Sequence, residues 1–419
     1  MVTMTDNTED ESTPLDLLLK GGRVIDPANG VDAPLDVGVV GGRIARVAAD
    51  ILPDATTQIV DVAGHIVTPG ILDIHTHVYP FVRTDAAYVG ALSADAHLPA
   101  SGVTTTVDAG TVGWKDFDDF KKWHIDRSKV RVLAFLNIAA GGMVNAASEQ
   151  DPGEMQPEVV AAMAAAYPET IVGIKTAHYW TKQPWDSEHP PWVSVERAVE
   201  AGELCGMPVM VDFWPRPPER SYPDLILKKL RPGDIHTHVF AQQFPIVGEG
   251  CKVYEHIWQA RERGVIFDLG HGAGSFWFRN AVPALSDGFA PDSISTDLHM
   301  ANINGPVVSM LTTMSKYLSM GMSLEDVIAR STVAPAREIG RPDLGTLSVG
   351  ACADIAVLEH LRGEFGYTDC GRAKIVGAEK LTCAMTVRAG EVVYDPTGLS
   401  MPEWEQAPES YWQMRTLLV

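Results

Sequence analysis

At 419 residues, 46% of them hydrophobic and 21% charged, the chain has an ordinary globular composition and enough length for a large domain with a smaller one attached. Its formal charge of −21 argues against nucleic acid or an anionic membrane as partner, because no basic patch larger than Lys121-Lys122 or Lys228-Lys229 offsets the repulsion. Five scattered cysteines without a CxxC pair suggest neither a disulfide framework nor a thiolate zinc site, and fit a reducing, cytoplasmic setting.

Residues 1–14, rich in Thr, Asp and Glu, lack the basic start and apolar run of a signal peptide and are expected to form a disordered acidic tail. No apolar stretch reaches the roughly 20 residues of a membrane-spanning helix. Over residues 15–68, short β-branched runs are punctuated by Gly21-Gly22 and Gly41-Gly42, and both pairs predict hairpin turns. A similar texture returns at 353–358 and 386–393, so the two chain ends are expected to build one small β domain. Between them, strands are predicted at 71–75, 104–108, 132–137, 171–175, 209–213, 235–239, 265–269 and 293–296. Helical patterns separate them at 158–166, 195–205 and 254–263, and Ser323-Leu324-Glu325-Asp326 reads as a capped helix start. This alternation predicts an α/β fold, a (β/α)₈ TIM barrel over 69–340. A small β-sandwich domain from both chain ends (15–68 and 341–400) and an extension at 401–419 complete the expected layout.

In such a barrel, chemistry gathers where the strands end. His75-Thr76-His77 closes the first strand; residues two apart share a face, and paired imidazoles suit zinc or a similar first-row cation. Lys175 ends the fourth strand, where it is either a surface lysine or, beside a dication, a residue that has lost its charge or been modified. His236 and His238 repeat the HxH pattern on the sixth strand. His271 lies in the glycine-flanked turn Gly270-His271-Gly272, where backbone can approach a ligand closely. Asp297, ending the eighth strand, offers a carboxylate to ligate metal and accept a proton. Aromatic residues after Lys175, Trp180 among them, suggest a small, partly apolar or aromatic substrate, or else they pack a long loop. Arg83 and Arg216 follow strand ends, as carboxylate-binding groups or as plain surface arginines.

These residues, taken with Thr68-Pro69-Gly70-Ile71-Leu72-Asp73-Ile74-His75-Thr76-His77, Gly173-Ile174-Lys175, Ser295-Thr296-Asp297-Leu298-His299 and Gly345-Thr346-Leu347-Ser348-Val349-Gly350, resemble the amidohydrolase superfamily. The similarity is to its amidohydrolase/deacetylase branch, near dihydroorotase, hydantoinase and D-aminoacylase. The resemblance implies a barrel with a small β domain, and a carboxylated Lys175 bridging two divalent cations, zinc first and manganese as the alternative. It places His75, His77, Lys175 and Asp297 around one cation. The carbamate, His238 and a histidine ending the fifth strand would hold the other. Here the fifth strand ends Val211-Asp212-Phe213 instead. Asp212 is then itself a ligand, or only one cation binds, or His236 takes over. The implied activity is deacylase-type hydrolysis of an amide or ester, with Asp297 handling the proton and His271 as oxyanion donor or substrate contact. A cyclic amidohydrolase of hydantoinase or dihydroorotase type is the second expectation and a catalytically inactive scaffold the third. A homo-oligomer is implied by the resemblance alone.

Overall fold

The computed structural model describes residues 13–80, 90–144 and 147–413, so most of the expected acidic tail and Arg83 lie outside the described residues. The two chain ends meet in one eight-stranded sheet. The start of the chain supplies β1 (Leu17–Asp26), β2 (Val31–Val40), β3 (Arg43–Ala48), β4 (Gln58–Asp61) and β5 (Ile66–Pro69). Its end supplies β13 (Ile355–Thr368), β14 (Lys374–Arg388) and β15 (Glu391–Tyr394). The strand order is β15-β14-β13-β5-β1-β2-β3, with β4 paired to β1 off this path.

Gly41-Gly42 turns β2 into β3 as expected. Gly21-Gly22 does not turn the chain. β1 continues through it with a register shift between Leu19 and Gly22, and Gly21 takes a φ of +80° that other residues rarely adopt. Leu18 and Leu19 before the bulge, and Val24 and Ile25 after it, are all fully buried, and that burial holds both halves in the sheet. The bulge lets one strand serve two partners: its first half pairs with β4 and its second with β5. The expected sandwich is therefore a single hydrogen-bonded sheet, backed by Leu19, Val24, Val37, Ile355 and Met385.

The middle of the chain forms a second sheet of seven parallel strands in chain order. They are β6 (Ile71–Thr76), β7 (Val103–Gly113), β8 (Arg131–Asn137), β9 (Ile171–Thr176), β10 (Val209–Val211), β11 (Ile235–His236) and β12 (Ile266–Phe267). Helices Pro157–Ala166, Val193–Cys205 and Glu255–Glu262 fall where the apolar periodicity places them. Ser323 caps Leu324–Ala329, its side chain accepting from the Asp326 amide.

The expected eighth strand is not a full ladder. Residues 293–298 instead make two isolated parallel bridges, Asp268 to Ser293 on one side and Thr76 to Leu298 on the other. His271 N donates to Ser295 O at 3.2 Å, and Asp297 N to His75 O at 2.6 Å. The segment thus touches both edges of the seven-stranded sheet. The sheet is curled: Leu72, Val107, Phe135, Val172, Met210 and Ile235, from six different strands, share one core with Ile339 and Leu344. Among the described residues, no helix is long and apolar enough to cross a membrane.

Candidate metal centre and active site

The C-terminal ends of the parallel strands surround a cavity of about 360 Å³, lined by His75, His77, Lys175, His178, Asp212, His238, Asp297 and His299 among others. Each imidazole is held from behind. His75 Nδ1 lies 2.8 Å from Thr237 Oγ1, whose hydroxyl donates to Asp268 Oδ2 at 2.7 Å. A hydroxyl that donates to the carboxylate accepts from the ring, so the His75 proton sits on Nδ1 and Nε2 keeps its lone pair. His238 Nδ1 lies 2.6 Å from the Gly270 carbonyl, which only accepts, and the same tautomer follows. His77 Nδ1 lies 2.8 Å from Thr111 Oγ1, and its Nε2 is 3.0 Å from Asp297 Oδ1. Outer partners that fix the ring and tautomer are the usual support of metal-binding histidines.

The ligand atoms of His75, His238 and Asp297 lie within 4.8 Å of one another, and all three residues are buried. This donor set, nitrogen-rich with a carboxylate, fits a borderline cation such as zinc. Burial and neighbouring Lys175 push the His75 imidazole down to about 3, so it stays neutral. Burial opposes ionisation of Asp297, but bonds from His299 and His77 outweigh it and hold the carboxyl well below the usual range. At Asp212, too, burial is outweighed, here by His238, His178 and Lys175, and the carboxyl is ionised.

Lys175 is fully buried, with Nζ 3.3 Å from His75 Nε2. Burial pulls its pKa down, against the pull of Asp212 and Asp297. Its stem runs over Gly110, where a Cβ would come within 2.5 Å of Lys175 Cγ. The surface-lysine alternative is ruled out by this burial.

Several expected residues are placed elsewhere. His271 does not line the cavity; its Nε2 meets Lys316 Nζ at 2.6 Å, and its Nδ1 lies 3.0 Å from Gly272 O. The functional weight of Gly270-His271-Gly272 falls on its glycines. A Cβ on Gly270, at φ +46°, would lie 2.2 Å from Thr237 Oγ1, 2.8 Å from His238 Nδ1 and 3.0 Å from His75 Nδ1. Gly270→Ala is therefore expected to displace both imidazoles and lower metal affinity about 10- to 100-fold, as loss of outer-shell support does, in a metal titration of the folded variant. His236 cannot stand in for a missing ligand. Both its ring nitrogens are buried without a hydrogen-bond partner among Tyr222, Phe244 and Phe267. β11 ends at His236, and His238 has turned to φ +63°, so the two rings no longer share a face.

Trp180 and Arg216 also leave the cavity. Trp180 stacks on His189 with ring centroids 3.5 Å apart and donates to Pro184 O. Arg216 donates to Trp180 O at 2.8 Å and covers the Trp185 ring. They pack the long loop, and the aromatic wall of the cavity is Phe213 and Trp214. Sequence reasoning gave no role to His178 and His299 in the cavity, nor to the supporting Asp268, Thr237 and Thr111, nor to Glu149, whose Oε2 lies 3.0 Å from His178 Nδ1. His178 follows Lys175 by three residues and His299 follows Asp297 by two, a nearness that could have drawn attention to both. Three cavity residues, His178, His238 and Asp297, hold positive φ, a conformation that side chains other than glycine resist.

Residues 278–393 match the amidohydrolase family. A deacetylase of Enterococcus faecalis is 31% identical over 91% of this chain and 99% of its own length. A deacetylase of Brucella anthropi is 32% identical over 88% of this chain and 93% of its own. Among solved structures, an adenine deaminase superposes with a TM-score of 0.81 at 29% identity, over 91% of this chain and 100% of that one. A dihydroorotase superposes with a TM-score of 0.77 at 26% identity, over 90% and 99%. The chain belongs to the amidohydrolase family and is a hydrolase of carbon–nitrogen bonds.

Proposed function

We propose that this protein is a metal-dependent amidohydrolase of deacylase type, cleaving an amide or ester bond of a small, partly apolar acylated substrate. The observation that carries this is the inward-facing set of imidazole Nε2 atoms beside Asp297, each ring held through Nδ1 from outside the cavity. The seven-stranded sheet with its bridging segment 293–298 is read as a (β/α)₈ barrel. His75, His77 and Asp297, together with Lys175, hold zinc, or manganese in its place, and His238 and Asp212 serve as ligands toward a second ion. Lys175 is read as carboxylated. Its neutral amine adds carbon dioxide and loses a proton, which turns a buried cation beside metal ligands into an anionic ligand.

A divalent cation in this cavity lowers the pKa of water and polarises the scissile carbonyl. Asp297 is ionised and central, so its carboxylate takes the proton from the attacking water and returns it to the leaving group. Phe213, Trp214 and Met143 offer the apolar side of the substrate a wall. The deacetylases among the relatives match over nearly their whole length, which favours acyl transfer to water over ring opening. The dihydroorotase likeness supports a cyclic amidohydrolase as the second reading.

A screen of N-acyl amino acids and acylated hydroxy acids against cyclic imides separates the two readings. Turnover confined to the cyclic imides would overturn the deacylase reading. Chelation is expected to abolish turnover, and added Zn²⁺ or Mn²⁺ to restore it. Protein that contains no metal and is not activated by either ion would instead be a scaffold.

A further inference from the structure

The resemblance calls for a histidine at the end of the fifth parallel strand, and this chain has Asp212 there. The structure brings an imidazole to that carboxylate from the neighbouring strand. His178 lies just beyond β9 and lines the cavity with Lys175, Asp212 and His238. Its Nε2 is 3.4 Å from Asp212 Oδ2, and His238 Nε2 is 3.6 Å from the same oxygen.

We propose that His178 supplies the imidazole missing from the fifth strand, so that Lys175, His178, Asp212 and His238 form the second cation site; this rests on reading the cavity as a metal centre. The first support is spacing. Both separations are longer than ordinary N–H···O hydrogen bonds of about 2.7–3.2 Å. Two ligands each about 2.0–2.1 Å from zinc in tetrahedral geometry lie about 3.4 Å apart. Each of the two nitrogens thus stands from the Asp212 oxygen at the spacing of two atoms that share a cation.

The second support is how the ring is held. His178 Nδ1 lies 3.0 Å from Glu149 Oε2. A carboxylate only accepts, so Nδ1 carries a proton and Nε2 is the atom presented to Asp212 and the cavity. Glu149 is buried and fixed in turn, its Oε1 accepting from Asn137 Nδ2 at 3.0 Å. Gln150, the next residue, donates to the His178 carbonyl and accepts from the Trp180 amide. The backbone at His178 takes a φ of +51°, which aims the ring inward. The pattern repeats that of His75, His77 and His238: Nδ1 held from outside, Nε2 toward the cavity.

The test uses zinc alone as probe on the full-length protein. Wild type, freed of metal and titrated, is expected to bind two zinc ions per chain. His178→Ala and His178→Asn are expected to bind one, with unchanged circular dichroism. Glu149→Gln keeps two but binds the weaker about 10- to 100-fold less tightly. Labelled-histidine NMR gives a readout that needs no variant: the His178 Nε2 resonance should shift with the second equivalent of zinc and not with the first. Two tightly bound zinc ions in His178→Ala, a single ion in wild type, or a His178 signal indifferent to the second equivalent would each overturn the proposal. A wild type that binds no zinc at all would overturn the metal-dependent function itself, which is a distinguishable result.

Discussion

Asp297→Asn is expected to keep the fold and lose almost all turnover, with kcat falling about 10²- to 10⁴-fold, the usual worth of a positioned general base. The side chain is replaced by one of equal size. The backbone bonds that help seat the residue are kept: its N–H donates to His75 O, and its carbonyl accepts from Asn302 Nδ2 and from His299 Nδ1. None of these needs the carboxylate. What the variant loses is a charge that His77 and His299 hold ionised, and with it the proposed acceptor for the water proton. Melting temperature within a few degrees of wild type, together with collapsed kcat, is the expected pair of results. An Asn variant within tenfold of wild-type kcat would remove Asp297 from the proton-transfer role.

Where apolar runs carried the pattern, the sequence was readable. The first four parallel strands were placed within about two residues at their starts, because buried strands read as continuous β-branched and aliphatic runs. The hairpin of β13 and β14 was read only at its base. Its outer half, from Glu359 to Phe365, is exposed and charged, so pairing between its own two strands holds it rather than burial, and hydropathy shows nothing. At Gly21-Gly22 a glycine pair gave the local signal of a turn, and buried leucines on both sides overrode it.

The cavity was legible where a lining side chain lies on a strand and much less so where it lies in a loop. His75 and Lys175 are strand residues, and strand geometry predicts their direction. His238, His178 and Asp297 depend on positive-φ turns, which no residue type announces when glycine is not used. Strand spacing then misleads, as it did in treating His236 and His238 as a pair. Trp180 and Arg216 show the opposite error: chemically apt side chains on a loop over the strand ends are used to pack that loop.

The largest effect on stability is expected at Asp268, which sequence reasoning passed over. It is fully buried and accepts from the hydroxyls of Thr237, Ser293 and Ser295 at 2.7–2.8 Å. Ser295 Oγ in turn accepts from the Gly270 amide, so one carboxylate ties the sixth and seventh strand ends to the bridging segment. Asp268→Ala leaves three buried hydroxyls without their acceptor and is expected to cost about 3–5 kcal/mol in urea denaturation, the range for breaking a buried charged network. Asp268→Asn should be milder in stability and more informative about chemistry. An amide nitrogen placed at Oδ2 donates to Thr237 Oγ1, and the hydroxyl, no longer able to donate there, turns its proton toward His75 Nδ1. The ring must then carry its proton on Nε2, the atom that faces the cavity. The folded Asn variant is therefore expected to lose about 10- to 100-fold in zinc affinity, with the His75 tautomer reversed in labelled-histidine NMR. Unchanged zinc affinity in a variant whose tautomer has reversed would mean that His75 Nε2 is not a ligand atom, and the metal centre would have to be rebuilt without it.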